Sequence, residues 1–104
     1  MHFSDIIPIA KKKALKSECR YKVSAIGVNA KGEVIASCTN RRRFSKLGGS
    51  IHAEMQVMKT APKSLSTIIL CRVGKRGLLR PIDPCIVCST KAKELGVKIL
   101  PIRP

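Results

Sequence analysis

His52-Ala53-Glu54 and Pro84-Cys85-Ile86-Val87-Cys88 stand on either side of the apolar run Thr67-Ile68-Ile69-Leu70-Cys71-Arg72-Val73. The run is β-branched, seven residues long and flanked by Ser66 and Gly74, so it reads as a buried strand. The flanking segments both read as helix starts. Ser50 can cap a helix carrying Ile51, Met55 and Met58 on one face and ending near Ala61-Pro62. Pro84 suits the opening of a second helix that runs to about Leu95 and stops at Gly96. Helices alternating with strands imply β-α-β crossovers, which bring two helix starts to one edge of a sheet.

Working outward, the rest of the chain completes a layered fold. Ser4 to about Ser17 has Ile7, Ala10 and Ala14 at helical spacing, although Pro8 moves the expected start toward Ile7. Tyr21 to Val28 and Val34 to Thr39 are short and β-branched, joined by the polar turn Asn29-Ala30-Lys31-Gly32-Glu33, which is a hairpin pattern. Val97 to Ile102 is a last strand. Asn40 to Gly49 and Lys75 to Asp83 read as two basic loops. The expected class is α/β, with a mixed sheet of four strands, room for a fifth, and helices covering it. The length of 104 residues suits one domain over 1–104.

Composition narrows the class of function. The formal net charge is +15, from 21 Lys and Arg against 6 Asp and Glu, which favours anionic partners. No apolar run approaches the roughly 18 residues of a membrane helix. The N-terminus lacks a basic region followed by an apolar stretch, so a soluble cytoplasmic protein is expected. Five cysteines, an odd number, argue against a disulfide framework. Cys19, Cys38 and Cys71 sit among apolar residues and are expected to behave as small hydrophobes.

Cys85 and Cys88 are three apart at a helix start, so their thiols face one way, and the positive end of the helix favours thiolates. By itself a C-x-x-C pair fits a redox motif or half of a structural zinc site. With His52 it makes an N/S₂ set for zinc, at roughly 2.0–2.1 Å to nitrogen and 2.3 Å to sulfur. Three protein ligands leave a fourth position for water, whose pKa zinc can bring to around 7. Glu54 is then placed to take a proton from that water and return it to a leaving amine, the two transfers that hydrolytic deamination of a ring amidine requires. The competing arrangement is a structural site closed by Cys38 or Cys71, which leaves Glu54 without a task.

His52-Ala53-Glu54 followed by Pro84-Cys85-x-x-Cys88 resembles the signature of the zinc-dependent nucleobase deaminase superfamily, whose members act on cytidine, deoxycytidylate, tRNA adenosine and polynucleotide cytosine. The resemblance implies a three-layer α-β-α, cytidine-deaminase-like fold that is short at its C-terminus, because Pro104 falls before the fifth strand and further helix usual in the family. It implies zinc on His52, Cys85 and Cys88, Glu54 as proton shuttle, and Asn40 as a substrate-binding residue, with the Ala53 and Cys85 N–H groups as donors to the ring carbonyl. Pro84 is counted with the substrate contacts, and Phe44 is the aromatic residue that lies in a suitable loop. Histidine as first ligand is more similar to the deoxycytidylate, tRNA-adenosine and polynucleotide branches than to the small cytidine deaminases.

The expected activity is conversion of cytosine to uracil, with release of ammonia, in a nucleotide or single-stranded nucleic acid. The alternatives are adenine deamination on RNA and an inactive deaminase fold kept for nucleic-acid binding. Arg41, Arg42, Arg43 and Lys46 in one loop, and Lys75, Arg76 and Arg80 in the other, are expected to contact phosphates. An open sheet edge or a helix face suits a homo-oligomer.

Overall fold

A computed structural model describes residues 3–42, 50–61 and 63–104. In chain order the elements are α1 (Phe3–Ala14), β1 (Lys22–Val28), β2 (Val34–Thr39), β3 (Arg41–Arg42), β4 (Ser50–Ile51), α2 (Ala53–Thr60), β5 (Thr67–Val73), β6 (Leu79–Arg80), α3 (Ile86–Leu95) and β7 (Lys98–Pro101). β1 and β5 pair antiparallel along their whole length, from Lys22 opposite Val73 to Val28 opposite Thr67. β2 adds to the outer side of β1. On the other side of β5, β6 pairs antiparallel with its last residues and β7 pairs parallel with its first four. The parallel β5–α3–β7 unit is the crossover expected from the sequence, and the sheet is mixed.

The two central strands are buried on both faces, which is why they read as continuous apolar runs rather than alternating ones. Ile26, Val28, Ile69, Cys71 and Val73 face α1, meeting Ile6, Ala10 and Ala14. Val23, Ala25, Ile68 and Leu70 face the other way, meeting Ala53, Val57 and Met58 of α2 and Cys88 and Ala92 of α3. Each fully buried Ile or Leu contributes roughly 1.5–3 kcal/mol relative to exposure. The result is three layers, with α1 behind the sheet and α2 and α3 in front. At Gly27 a Cβ would lie 2.7 Å from Val57 Cγ1 and 2.9 Å from Leu65 Cδ1, so the missing side chain lets α2 sit close on β1. Among the described residues no helix is long and apolar enough to cross a membrane.

Several boundaries differ from the sequence reading. α1 starts at Phe3 and keeps Pro8 inside. A proline there removes one helical hydrogen bond on an exposed face, while Ile6, Ala10 and Ala14 hold the buried face. The helix ends at Ala14 rather than Ser17, and the Ser17 hydroxyl instead donates to Asn40 Oδ1 at 2.6 Å. Ser50 does not cap α2. It pairs with Arg42 in a two-residue ladder, and His52, in extended conformation, takes the cap position without a side-chain bond. The stretch from Lys75 to Asp83 is not all loop. It contains β6, formed because Gly77 (φ 76°) turns the chain tightly and Gly74 N–H donates to the Leu78 carbonyl at 2.9 Å. β6 is thus the fifth strand of the sheet. β7 is shorter than the run Val97 to Ile102. Gly96, at φ 73°, ends α3 as expected, giving its N–H to the Ala92 and Lys93 carbonyls.

Candidate active site and metal centre

α2 and α3 begin side by side on the front of the sheet. His52 stands at the cap of the first and Cys85 at the cap of the second, and Cys88 lies one turn into α3. His52 Nδ1 is 3.1 Å from Cys85 Sγ and 3.4 Å from Cys88 Sγ. A tetrahedral zinc ion with ordinary bond lengths separates nitrogen and sulfur ligands by about 3.6 Å. Both nitrogen–sulfur separations come within about half an ångström of that, and all three donor atoms lie within 4.8 Å of one another. One imidazole and two thiols also match zinc chemically. Neither Cys38 nor Cys71 joins them among the described residues, and Cys71 faces α1 on the far side of the sheet. The set is therefore three-membered, the composition of a site that keeps a position open.

The thiols are held by the chain itself. Cys85 Sγ accepts the Cys88 N–H at 3.3 Å, and the Cys85 carbonyl accepts the Ser89 N–H at 2.9 Å. Cys88 is almost fully buried. Burial first, then the hydrogen bond from Cys85, and the charges of Glu54 and Cys85, push its thiol above the ordinary range. This corrects the expectation that the helix start lowers it, because desolvation outweighs the dipole of a ten-residue helix. A divalent cation among these groups inverts that balance. Burial also pushes the Cys71 thiol up, to about 11, as expected of an inert core cysteine.

A cavity of about 160 Å³ opens beside the donor atoms, lined by His52, Ala53, Glu54, Cys85 and Asn40, with Tyr21, Val23, Ile82 and Asp83 completing the wall. Pockets for larger ligands run to about 300–1,000 Å³, so this one takes a single ring and leaves the rest of a ligand outside. Glu54 is 4% exposed and has no hydrogen-bond partner among the described residues. Its carboxylate lines the cavity next to the donor set. Ala53 is the first residue of α2, so its N–H has no partner within the helix. Gln56 Nε2 donates to the Thr39 carbonyl at 2.6 Å and ties α2 to the end of β2, next to Asn40.

Asn40 is largely committed. Its Oδ1 accepts from Ser17 Oγ at 2.6 Å and from Val23 N–H at 3.1 Å, and its Nδ2 donates to the Tyr21 carbonyl at 2.7 Å. One N–H of the amide remains for a ligand.

The other sequence-selected residues lie in different places. Pro84 is half-buried and is not part of the wall of this cavity; it lines a separate hollow with Ser89, Ala92 and Val97. Lys75, Arg76 and Arg80 line a second, larger groove on the far side of Tyr21. Arg41 is exposed on β3. Arg42 contributes backbone to β3, its side chain lying outside the described residues together with Arg43, Phe44 and Lys46. Tyr21 and Arg72 were not singled out from the sequence. Tyr21 reads as the start of a strand, and Arg72 is an odd cation inside an apolar run, which was the available signal.

Fold and site together define a zinc-dependent hydrolase of the deaminase type. The family described as cytidine and deoxycytidylate deaminase zinc-binding region matches residues 2–102, and the chain belongs to that family. It is accordingly a zinc-dependent hydrolytic deaminase acting on a C–N bond. Cytidine deaminase from Mycobacterium tuberculosis has a similar structure, with a TM-score of 0.69 and 20% identity over 100% of this chain and 86% of that one. Cytidine deaminase from Mycobacterium leprae gives 0.67 and 17%, over 95% of this chain and 87% of that one. At these identities the likeness is one of fold, and the three-layer arrangement is shared. No protein of curated function matches the sequence.

Proposed function

We propose that residues 1–104 form one deaminase domain that converts cytosine to uracil in a nucleotide or single-stranded nucleic acid, with His52, Cys85 and Cys88 as zinc ligands and Glu54 as proton carrier. The observation that carries this reading is the meeting of one imidazole, two thiols and a largely buried carboxylate around a ring-sized cavity. Zinc bound there supplies an activated water near neutral pH.

The chain's own groups do the rest. Glu54 accepts a proton from the attacking water and gives it to the ring nitrogen. It then takes the remaining proton of the former water, from the oxygen now bonded to the ring carbon, and passes it to the departing amine, so that cytosine and water become uracil and ammonia. The Ala53 N–H, which has no partner within α2, donates to the ring carbonyl and fixes which edge of the base faces Glu54. The remaining Asn40 N–H and the exposed rim at Tyr21 meet the sugar, which the cavity is too small to enclose. The net charge of +15 draws phosphorylated substrates toward the opening. The names of the structurally similar proteins, both cytidine deaminases, support the choice of base. Exposed Ile86 and Val87 near Met55, and the open edge of β7, suit self-association, which light scattering reads.

Ammonia release by the zinc-loaded protein is the test, with cytidine, cytidylate, deoxycytidylate and short single strands carrying one cytosine or one adenine. Release from a cytosine substrate is expected. Release from adenine strands alone would transfer the proposal to the adenine reading, and release from none would end it.

A further inference from the structure

We propose that the basic groove next to the metal cavity binds the phosphodiester backbone of a single-stranded polynucleotide, so that the reacting base is presented from a strand; the inference rests on the deaminase reading and names its substrate class. The groove has a volume of about 660 Å³ and meets the cavity at Tyr21, which lines both. Arg20, Arg72, Lys75, Arg76 and Arg80 surround it, and no carboxylate is among its lining residues. Five cations around one hollow exceed what a single phosphate monoester needs.

Two local costs point to a missing anion. Arg72 stands directly opposite Arg80 in the β5–β6 ladder, and like charges in that relation repel. Arg72 Nε is also buried with no hydrogen-bond acceptor among the described residues, while Nη1 reaches only the Pro81 carbonyl at 3.5 Å. A phosphate in the groove supplies the counter-charge that both arginines lack, and a turn of the Arg72 guanidinium toward it gives Nε an acceptor.

Tyr21 supplies the second element of strand recognition. The Arg72 guanidinium lies 4.4 Å from the centre of its ring, yet Tyr21 remains 61% exposed. Asn40 holds its backbone through the 2.7 Å bond to its carbonyl. A fixed, exposed ring between a single-ring cavity and a phosphate groove is placed to stack the base next to the one that enters the cavity.

The experiment measures binding of fluorescein-labelled oligothymidylate and oligouridylate, nine nucleotides long, to the zinc-loaded protein at several salt concentrations. Neither contains an amidine, so turnover does not intrude. We expect the logarithm of affinity to fall with the logarithm of salt at a slope of about −2 to −3, as for three or four single-strand phosphate contacts. Arg20→Gln with Arg76→Gln should weaken binding at least tenfold and reduce the slope by about 1.4. Lys91→Gln with Lys93→Gln, exposed on α3, should leave it unchanged. Tyr21→Ala should weaken binding, and Tyr21→Phe should restore it. Tighter binding of one strand than the other identifies the preferred kind of strand, and either supports the proposal. Equal losses from the groove pair and the α3 pair would overturn it, as would strands binding no better than thymidine 5′-monophosphate. Turnover of free cytidine without strand binding sinks this inference alone. Strand binding in the groove without turnover of any substrate sinks the deaminase reading instead.

Discussion

Asn40 donates from Nδ2 to the carbonyl of Tyr21 at 2.7 Å, joining the wall of the metal cavity to the aromatic residue at the edge of the basic groove. The same side chain receives Ser17 Oγ and Val23 N–H. Asn40→Ala leaves these buried partners unsatisfied and should lower stability by about 2–4 kcal/mol, measured by denaturant midpoint. Asn40→Asp keeps both acceptor contacts but sets an oxygen against the Tyr21 carbonyl. It should raise KM more than it lowers kcat, because the rim moves while Glu54 stays.

Glu54→Gln preserves size and removes the proposed proton carrier. Zinc content, measured by atomic absorption, should remain one per chain, while kcat falls about 10²–10⁴-fold. Turnover within a few-fold of the unaltered protein would take Glu54 out of the mechanism.

Replacing any one of His52, Cys85 and Cys88 by alanine leaves two donors. Each variant should lose stoichiometric zinc, and its melting temperature should stop responding to added zinc. The unaltered chain should gain about 4 kcal/mol when free zinc exceeds Kd a thousandfold. A fourth variant, Cys38→Ala, should behave as the unaltered chain does, which separates an open site from a closed structural one.

The buried Cys71 sets a limit at alkaline pH. Folding holds its thiol neutral up to about 11, whereas an ordinary thiol ionises near 9.0, so the unfolded chain loses its proton first as pH rises. This contribution to stability is intact below 9 and is lost progressively between 9 and 11, the loss reaching about 2–3 kcal/mol at the upper end. Unfolding curves at pH 8, 10 and 11 should show that decline, and Cys71→Ala should reduce it.

Gly27→Val asks α2 to move away from β1. The cost should be about 1–3 kcal/mol, and activity should fall further than stability because His52 and Glu54 ride on that helix. Ala36→Ser, on the neighbouring strand and half-buried, serves as the mild comparison.

The sequence exposed most of this architecture because the buried strands and the metal donors both leave local marks. Thr67–Val73 is seen in full because both of its faces are covered, so nothing interrupts the apolar run except Arg72. His52, Glu54, Cys85 and Cys88 are visible because zinc constrains residue type and spacing together. β6 was hidden because a two-residue strand has no periodicity, and its Arg80 reads as part of a charged loop. Ser50 misled because capping chemistry also suits the end of a short ladder, and a two-residue pairing between Ser50 and Arg42 leaves no pattern to find. The start of α1 was missed because Pro8 looks like a first-turn residue until the buried stripe of Ile6, Ala10 and Ala14 is known. By sequence Tyr21 reads as a strand residue and Phe44 as the aromatic in a suitable loop, because the position of Tyr21 depends on a bond from Asn40, nineteen residues away, and no local rule predicts such a partner.

His52 and Cys85 are separated by 33 positions, and everything between them, including the central strand β5, becomes a closed loop once an ion joins their side chains. Such a closure acts as a removable staple on the C-terminal half of the molecule. Scarcity of the metal would thus do more than silence the chemistry: it would open α3 and β7 to proteases, and the number of surviving molecules would follow the supply of zinc.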